Sequence, residues 1–187
     1  MESSAAAWVG IDGDTCTSAI LQTGVSFTVS ESGSTYDGKE MLGYTFTTRL
    51  TVPFTKAWYE FYPAPSFDYS GITISAGDVI KLTVTASSPY KGTVTIENLT
   101  NSERVSQNVT SVVPLCRENA EWIVEDYEEG DSIVPFANFS TVTFTNATAS
   151  GNGTYTPSGA TIVDIQQNNQ VLTSISTNGS SVTIKYV

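Results

Sequence analysis

With 187 residues, 40% of them apolar, the chain is long enough for one substantial core and too short for two ordinary domains, so a single domain over 1–187 is expected. Nineteen carboxylates against eight Lys and Arg give a formal net charge of -11, which excludes nucleic acid as a natural partner. Histidine is absent altogether, which removes Ser-His-Asp hydrolases, Cys-His peptidases and His-ligated zinc enzymes.

No run of about 18 apolar residues and no charged-then-apolar leader occurs, predicting a soluble chain with neither a membrane span nor a signal peptide. As pH falls toward about 3, most carboxylates lose their charge while the positive charge stays capped by Lys and Arg, so self-repulsion remains small. The composition suits an acidic medium.

Gly, Asn and Asp punctuate the sequence from Asp12-Gly13 to Asn178-Gly179 and separate short Thr/Val/Ile-rich runs, the rhythm of an all-β sandwich. In the first run, side-chain alternation puts Trp8, Gly10 and Asp12 on one face; the second groups Ile20, Gln22 and Gly24, and the third Trp58, Glu60 and Tyr62. The clearest strand is 79–87, where Ile80, Leu82 and Val84 alternate with Lys81, Thr83 and Thr85, followed by 93–97. Pattern leaves 118–129 (ENAEWIVEDYEE) open between a helix and a strand; as a strand it sets Glu121, Ile123, Glu125 and Tyr127 opposite Ala120, Trp122 and Val124. Strands at 142–145 and 181–187 complete the series, the last entered through a turn at Asn178-Gly179. Faces that mix aromatics with carboxylates and amides make poor cores and good linings for a polymer-binding cleft.

Two cysteines, Cys16 and Cys116, exclude a four-cysteine zinc site and leave either one disulfide closing a long loop or two buried thiols. Six sequons, at Asn98, Asn108, Asn138, Asn146, Asn152 and Asn178, exceed the about two or three expected by chance and favour a secreted glycoprotein over a by-product of Thr-rich strands. An aspartic dyad is disfavoured too, since the nearest approach to its loop is Asp14-Thr15-Cys16. What survives is chemistry run by carboxylates and amides: a glutamic-type peptidase, a two-carboxylate glycosidase or a lectin-like sandwich.

Five ordered blocks, AWVGIDGDTC (7–16), AILQTGVSF (19–27), AWYEFYP (57–63), SGITISAGD (70–78) and LCRENAEWIVEDY (115–127), closely resemble the fungal glutamic peptidases, the eqolisins. The likeness continues through VPFANFSTVTFTNA (134–147) and covers nearly the whole chain. It implies a curved, concanavalin-like antiparallel β-sandwich with a concave substrate cleft and a secreted, acid-active endopeptidase that uses neither metal nor cofactor. By motif, Gln22 of LQTG and Glu125 of IVEDY match the family's catalytic pair, Trp8, Asp12, Trp58, Glu60, Tyr62 and Tyr127 its substrate contacts, and Cys16 and Cys116 its disulfide. The implied chemistry has Glu125 take a proton from an attacking water, with hydrogen bonds holding its pKa low enough although neighbouring carboxylates push the other way, while the non-titrating Gln22 amide supports the oxyanion. A monomer acting on polypeptides is expected, since no heptad pattern or large apolar face asks for a partner.

Two departures stand out. Residues 1–6 replace the N-terminal strand segment that precedes AWVGIDG in the family, and 38–56 (GKEMLGYTFTTRLTVPFTK) interrupts a stretch that relatives run as TYDAWYEWYP. The insert reads as a surface insertion, a compensating strand pair or a translated intron, because Gly-Lys permits a donor-like GTAAG. An inactive homologue or a carbohydrate-binding sandwich is the alternative function.

Overall fold

The computed structural model describes residues 2–30, 46–49, 55–129 and 132–187, and every element among them is a β-strand. In chain order these are β1 (Glu2–Ile11), β2 (Ile20–Ser30), β3 (Phe46–Arg49), β4 (Thr55–Tyr62), β5 (Phe67–Asp68), β6 (Val79–Ser88), β7 (Lys91–Asn98), β8 (Glu103–Thr110) and β9 (Ala120–Glu125). There follow β10 (Glu128–Glu129), β11 (Ser132–Ile133), β12 (Thr141–Phe144), β13 (Ala149–Ser150), β14 (Thr154–Tyr155), β15 (Gln166–Gln167), β16 (Gln170–Val171), β17 (Thr173–Asn178) and β18 (Ser181–Tyr186). A five-stranded sheet in the order β5-β4-β2-β1-β9 faces a four-stranded one, β3-β6-β7-β8; β12-β18-β17 form a third, and β10-β11, β13-β14 and β15-β16 are small ribbons.

The period-two pattern explains the layers. On β6, Ile80 and Leu82 are fully buried, while Lys81 between them turns outward and meets Glu97 of β7 at 2.6 Å. Leu21, Val25 and Phe27 of β2 point at Val94 and Ile96 of β7, and Phe139, Phe144, Val182 and Ile184 close the same apolar cluster. The Phe27 ring meets Phe139 edge-on at 6.1 Å, a favoured geometry for the aromatic quadrupoles. The single polar residue in the middle of this face, Thr23, is satisfied: its hydroxyl reaches the Trp58 carbonyl at 2.9 Å and the Tyr69 hydroxyl at 3.0 Å.

The ambiguous 118–129 segment resolves as strand β9, held by pairing with β1 from Ala6↔Glu125 to Ile11↔Ala120. Two ties bring it there across 100 residues of sequence. The Cys16–Cys116 disulfide is formed, with Cα atoms 6.1 Å apart. Beside it Asp12, fully buried, accepts backbone N–H bonds from Arg117 (2.8 Å), Glu118 (2.8 Å) and Asn119 (3.3 Å). In return, Asn119 Oδ1 accepts from the Thr15 N–H at 3.0 Å.

The turn expected at Asn178-Gly179 is present, with Asn178 paired to Ser181. Within the 38–56 insert, β3 lies against β6, pairing Phe46 to Leu82, and Thr55 and Lys56 open β4; the rest of the insert and Tyr36-Asp37 lie outside the described residues. Burial corrects two of the six glycosylation candidates. Asn98 is fully buried, its amide donating to the Thr73 carbonyl (2.8 Å) and to Asp78 (2.7 Å), and the Nδ2 of Asn146 is buried as well. Asn108, Asn138, Asn152 and Asn178 are exposed.

Candidate active site

Because paired residues in an antiparallel sheet point the same way, the register of β4, β2, β1 and β9 fixes what lines the outer face of the five-stranded sheet. Three rows run across it: Trp58–Gly24–Trp8–Ile123, Glu60–Gln22–Gly10–Glu121 and Lys56–Ser26–Ala6–Glu125. The two glycines are required by close approach. A Cβ at Gly24 would lie 2.5 Å from Trp8 Cβ and 3.0 Å from Trp58 Cζ2, and one at Gly10 only 2.8 Å from Trp8 Cζ3. The Trp8 indole therefore lies along β1, over Gly10 at one end, and its Nε1 donates to Glu125 Oε2 at 2.8 Å.

Gln22, almost fully buried, donates from Nε2 to Glu60 Oε2. Its Oε1 is buried with no partner among the described residues, as are Trp58 Nε1, Glu121 Oε1 and Asp126 Oδ1. Buried polar atoms are normally paired, so four unspent groups in and beside this one face mark it as a surface with hydrogen bonds to give.

The carboxyls are perturbed in one direction. Burial raises Glu125 above the ordinary glutamate value; the Trp8 bond opposes it, and the charges of Glu60 and Asp126 add to it. The sequence expectation is that hydrogen bonds keep this pKa low enough for Glu125 to ionise against neighbouring carboxylates; among the described residues the Trp8 N–H is the bond that opposes the rise, and desolvation outweighs it. Glu60 is raised by burial against its bond from Gln22. Glu121 is pushed up to about 7, by burial first, with the charges of Asp14 and Asp12 adding and a backbone bond from Asp14 opposing.

The model of the Peptidase A4 family matches residues 1–186. The chain belongs to the Peptidase A4 family. It is 50% identical over 186 residues to aspergillopepsin-2 of Aspergillus niger, covering 98% of this chain and 59% of that protein. To scytalidopepsin B of Scytalidium lignicola it is 44% identical over 191 residues, covering 97% of this chain and 65% of that protein. The chain thus spans less than two thirds of the length of both curated relatives. The crystal structure of scytalido-glutamic peptidase with a transition state analog inhibitor superposes with a TM-score of 0.82 at 40% identity, covering 100% of this chain and 84% of that one.

In this A4 family member, the structure gathers Gln22, Glu125, Trp8, Trp58 and Glu60 on one face, and Tyr62 extends the same face, exposed, at the end of β4. Asp12 does not join them. Strand β1 ends at Ile11, Asp12 turns to φ 66, and both its carboxyl oxygens accept from the 117–119 backbone, so the alternation that grouped it with Trp8 no longer applies. Tyr127 lies two residues beyond the end of β9 and is half-buried, its carbonyl accepting from the Val134 N–H at 3.1 Å.

Two placements come from sheet register and tertiary packing. Glu121 shares the Gln22 row through Gly10, a position that alternation gives once β9 is known to be a strand. Gln167, in the β15-β16 ribbon, donates from Nε2 to Asp126 Oδ2, next to Glu125. That contact spans 41 residues and carries no local signal.

Proposed function

We propose that this chain is the catalytic domain of a secreted, acid-active endopeptidase, a monomer of one domain over 1–187 with 38–56 inserted, that hydrolyses polypeptides with Glu125 and Gln22. The observation that carries the reading is the placement of an amide and a carboxyl on one face, on strands flanking β1, beside groups whose hydrogen bonds are unspent. Membership of the A4 family and likeness to a peptidase solved with a transition state analog inhibitor support it. The disulfide fits an oxidising compartment.

Glu125, ionised, takes a proton from water as the water oxygen bonds to the scissile carbonyl carbon. The carbonyl oxygen becomes an oxyanion that the remaining Gln22 N–H can meet. Glu125 then gives the proton to the amide nitrogen as the C–N bond breaks, leaving an acid and an amine. Because the charge of Glu60 helps hold the proton on Glu125, protonating Glu60 in acid relieves Glu125 of one of the influences that raise it. Trp58, Tyr62 and Tyr127 remain the groups available to substrate side chains.

Cleavage of an acid-unfolded protein at about pH 3 and about pH 7, by the native sequence and by Glu125→Gln, tests this. Activity confined to acid and lost in the variant supports it. Undiminished proteolysis by both Glu125→Gln and Gln22→Ala, or glycan binding without proteolysis, sinks it.

A further inference from the structure

Gln22 has four nearest neighbours on its face of the sheet. Along β2 they are Ile20 and Gly24; across the sheet they are Gly10 of β1 and Glu60 of β4. Two have no side chain and one is apolar, so Glu60 is the only one of the four able to fix the Gln22 amide by a hydrogen bond. The two ends of a glutamine amide have nearly the same shape, and only bonding decides which way it faces. Nε2 gives one hydrogen to Glu60 Oε2, and Oε1 has no partner among the described residues.

Resting on the Glu125/Gln22 reading above, we infer that Glu60 is a positioning residue: its ionised carboxylate, an acceptor only, selects one orientation of the Gln22 amide, leaving one N–H and Oε1 for the oxyanion and the attacking water. Glu60 acts through Gln22 and not as a contact for the substrate side chain. Reversing the amide would present Oε1, an acceptor, where the oxyanion needs a donor, and the stabilisation would become repulsion.

The test is a series at position 60 combined with Gln22→Ala, read as kcat and KM on one peptide. Glu60→Met keeps the bulk and removes the acceptor. It should lower kcat about 10-fold, a part of the about 100-fold or more that loss of an oxyanion donor costs, with KM nearly unchanged. Glu60→Gln keeps an acceptor but, like a protonated carboxyl, can also donate to Gln22 Oε1, so it stabilises both orientations: it should fall between Met and Glu where Glu60 is ionised and approach the native kcat as acid protonates Glu60. In the Gln22→Ala background, Glu60→Met should produce no further loss, since nothing is left to orient.

A rise in KM at unchanged kcat, or losses that multiply in the double variant, would make Glu60 a substrate contact and overturn the inference. If Gln22→Ala alone leaves kcat intact, the underlying pair is wrong, and that outcome is recognised before any Glu60 variant is made. Glu60→Gln is nearly isosteric, so it provides a folded comparison should Glu60→Met be unstable.

Discussion

The two faces of the five-stranded sheet are built from the same strands and follow opposite rules. Toward the second sheet, Ala5, Ala7, Leu21, Val25 and Phe27 are buried and Thr23, the polar exception, spends its hydroxyl on Trp58 and Tyr69. On the other face, one residue along in each strand, stand Trp8, Gly10, Gln22, Gly24, Glu60 and Glu125, with Gln22 Oε1 and Trp58 Nε1 unpaired among the described residues. A face that completes its hydrogen bonds internally contributes stability; a face that leaves them incomplete keeps them for a ligand and costs stability.

Substitutions that preserve shape on one face and remove it on the other should separate these roles. Glu125→Gln keeps the volume and an acceptor for the Trp8 N–H while abolishing proton transfer. Turnover should fall by about 10²- to 10⁴-fold with the urea midpoint nearly unchanged. Phe27→Ala makes the opposite cut: it empties a fully buried site against Phe139 and should cost about 3–5 kcal/mol in equilibrium unfolding. Among molecules still folded, kcat should change little. A large stability loss in the first, or none in the second, would erase the distinction between the faces.

Gly24→Ala attacks the boundary between the two roles. The added methyl meets Trp8 Cβ at 2.5 Å and the Ala7 carbonyl oxygen at 2.7 Å, neither of which is the free end of a flexible chain. Overpacking of this kind costs about 1–3 kcal/mol, and the Trp8 indole must shift from its bond to Glu125. Paired loss of thermal stability and activity, with altered tryptophan fluorescence, is the expected result.

Much of this was legible in the sequence because alternation is a local property. Ile80, Leu82 and Val84 announce β6 without reference to any partner, and the faces carrying Gln22 and Glu60 follow from counting by twos. What local pattern cannot show is where a strand stops and what lies across from it. Asp12 is the instance: at φ 66 the count breaks, and a residue assigned to the cleft becomes the anchor for 117–119. In 118–129, helix-forming residues become β9 only because β1 supplies a ladder and Cys16 and Asp12 hold its entrance. Asn98 satisfies a sequon by its neighbours in sequence yet is buried by its neighbours in space.

The smallest effect distinguishes two carboxyls on the same face of β9, four residues apart. Glu125 has the Trp8 N–H as a partner, whereas Glu121 packs against Gly13, feels Asp14 and Asp12, and has Oε1 unpaired among the described residues. Its folded pKa of about 7 lies above the unfolded value of 4.5, so the folded state binds the extra proton between them. Stability is therefore independent of Glu121 below about pH 4.5, falls as pH rises toward 7, and levels off above it. For a half-buried group screened by solvent the loss is on the order of 1 kcal/mol. Glu121→Gln should reduce the drop in urea midpoint between about pH 4 and pH 7 and leave the midpoint at about pH 4 nearly unchanged. Glu60, Glu125 and Asp126, all raised by burial, should keep the remaining slope in the same direction. An unchanged slope in Glu121→Gln would mean that the 12–14 loop moves away when Glu121 ionises, and that the neutral-pH weakness lies with the carboxyls beside Gln22.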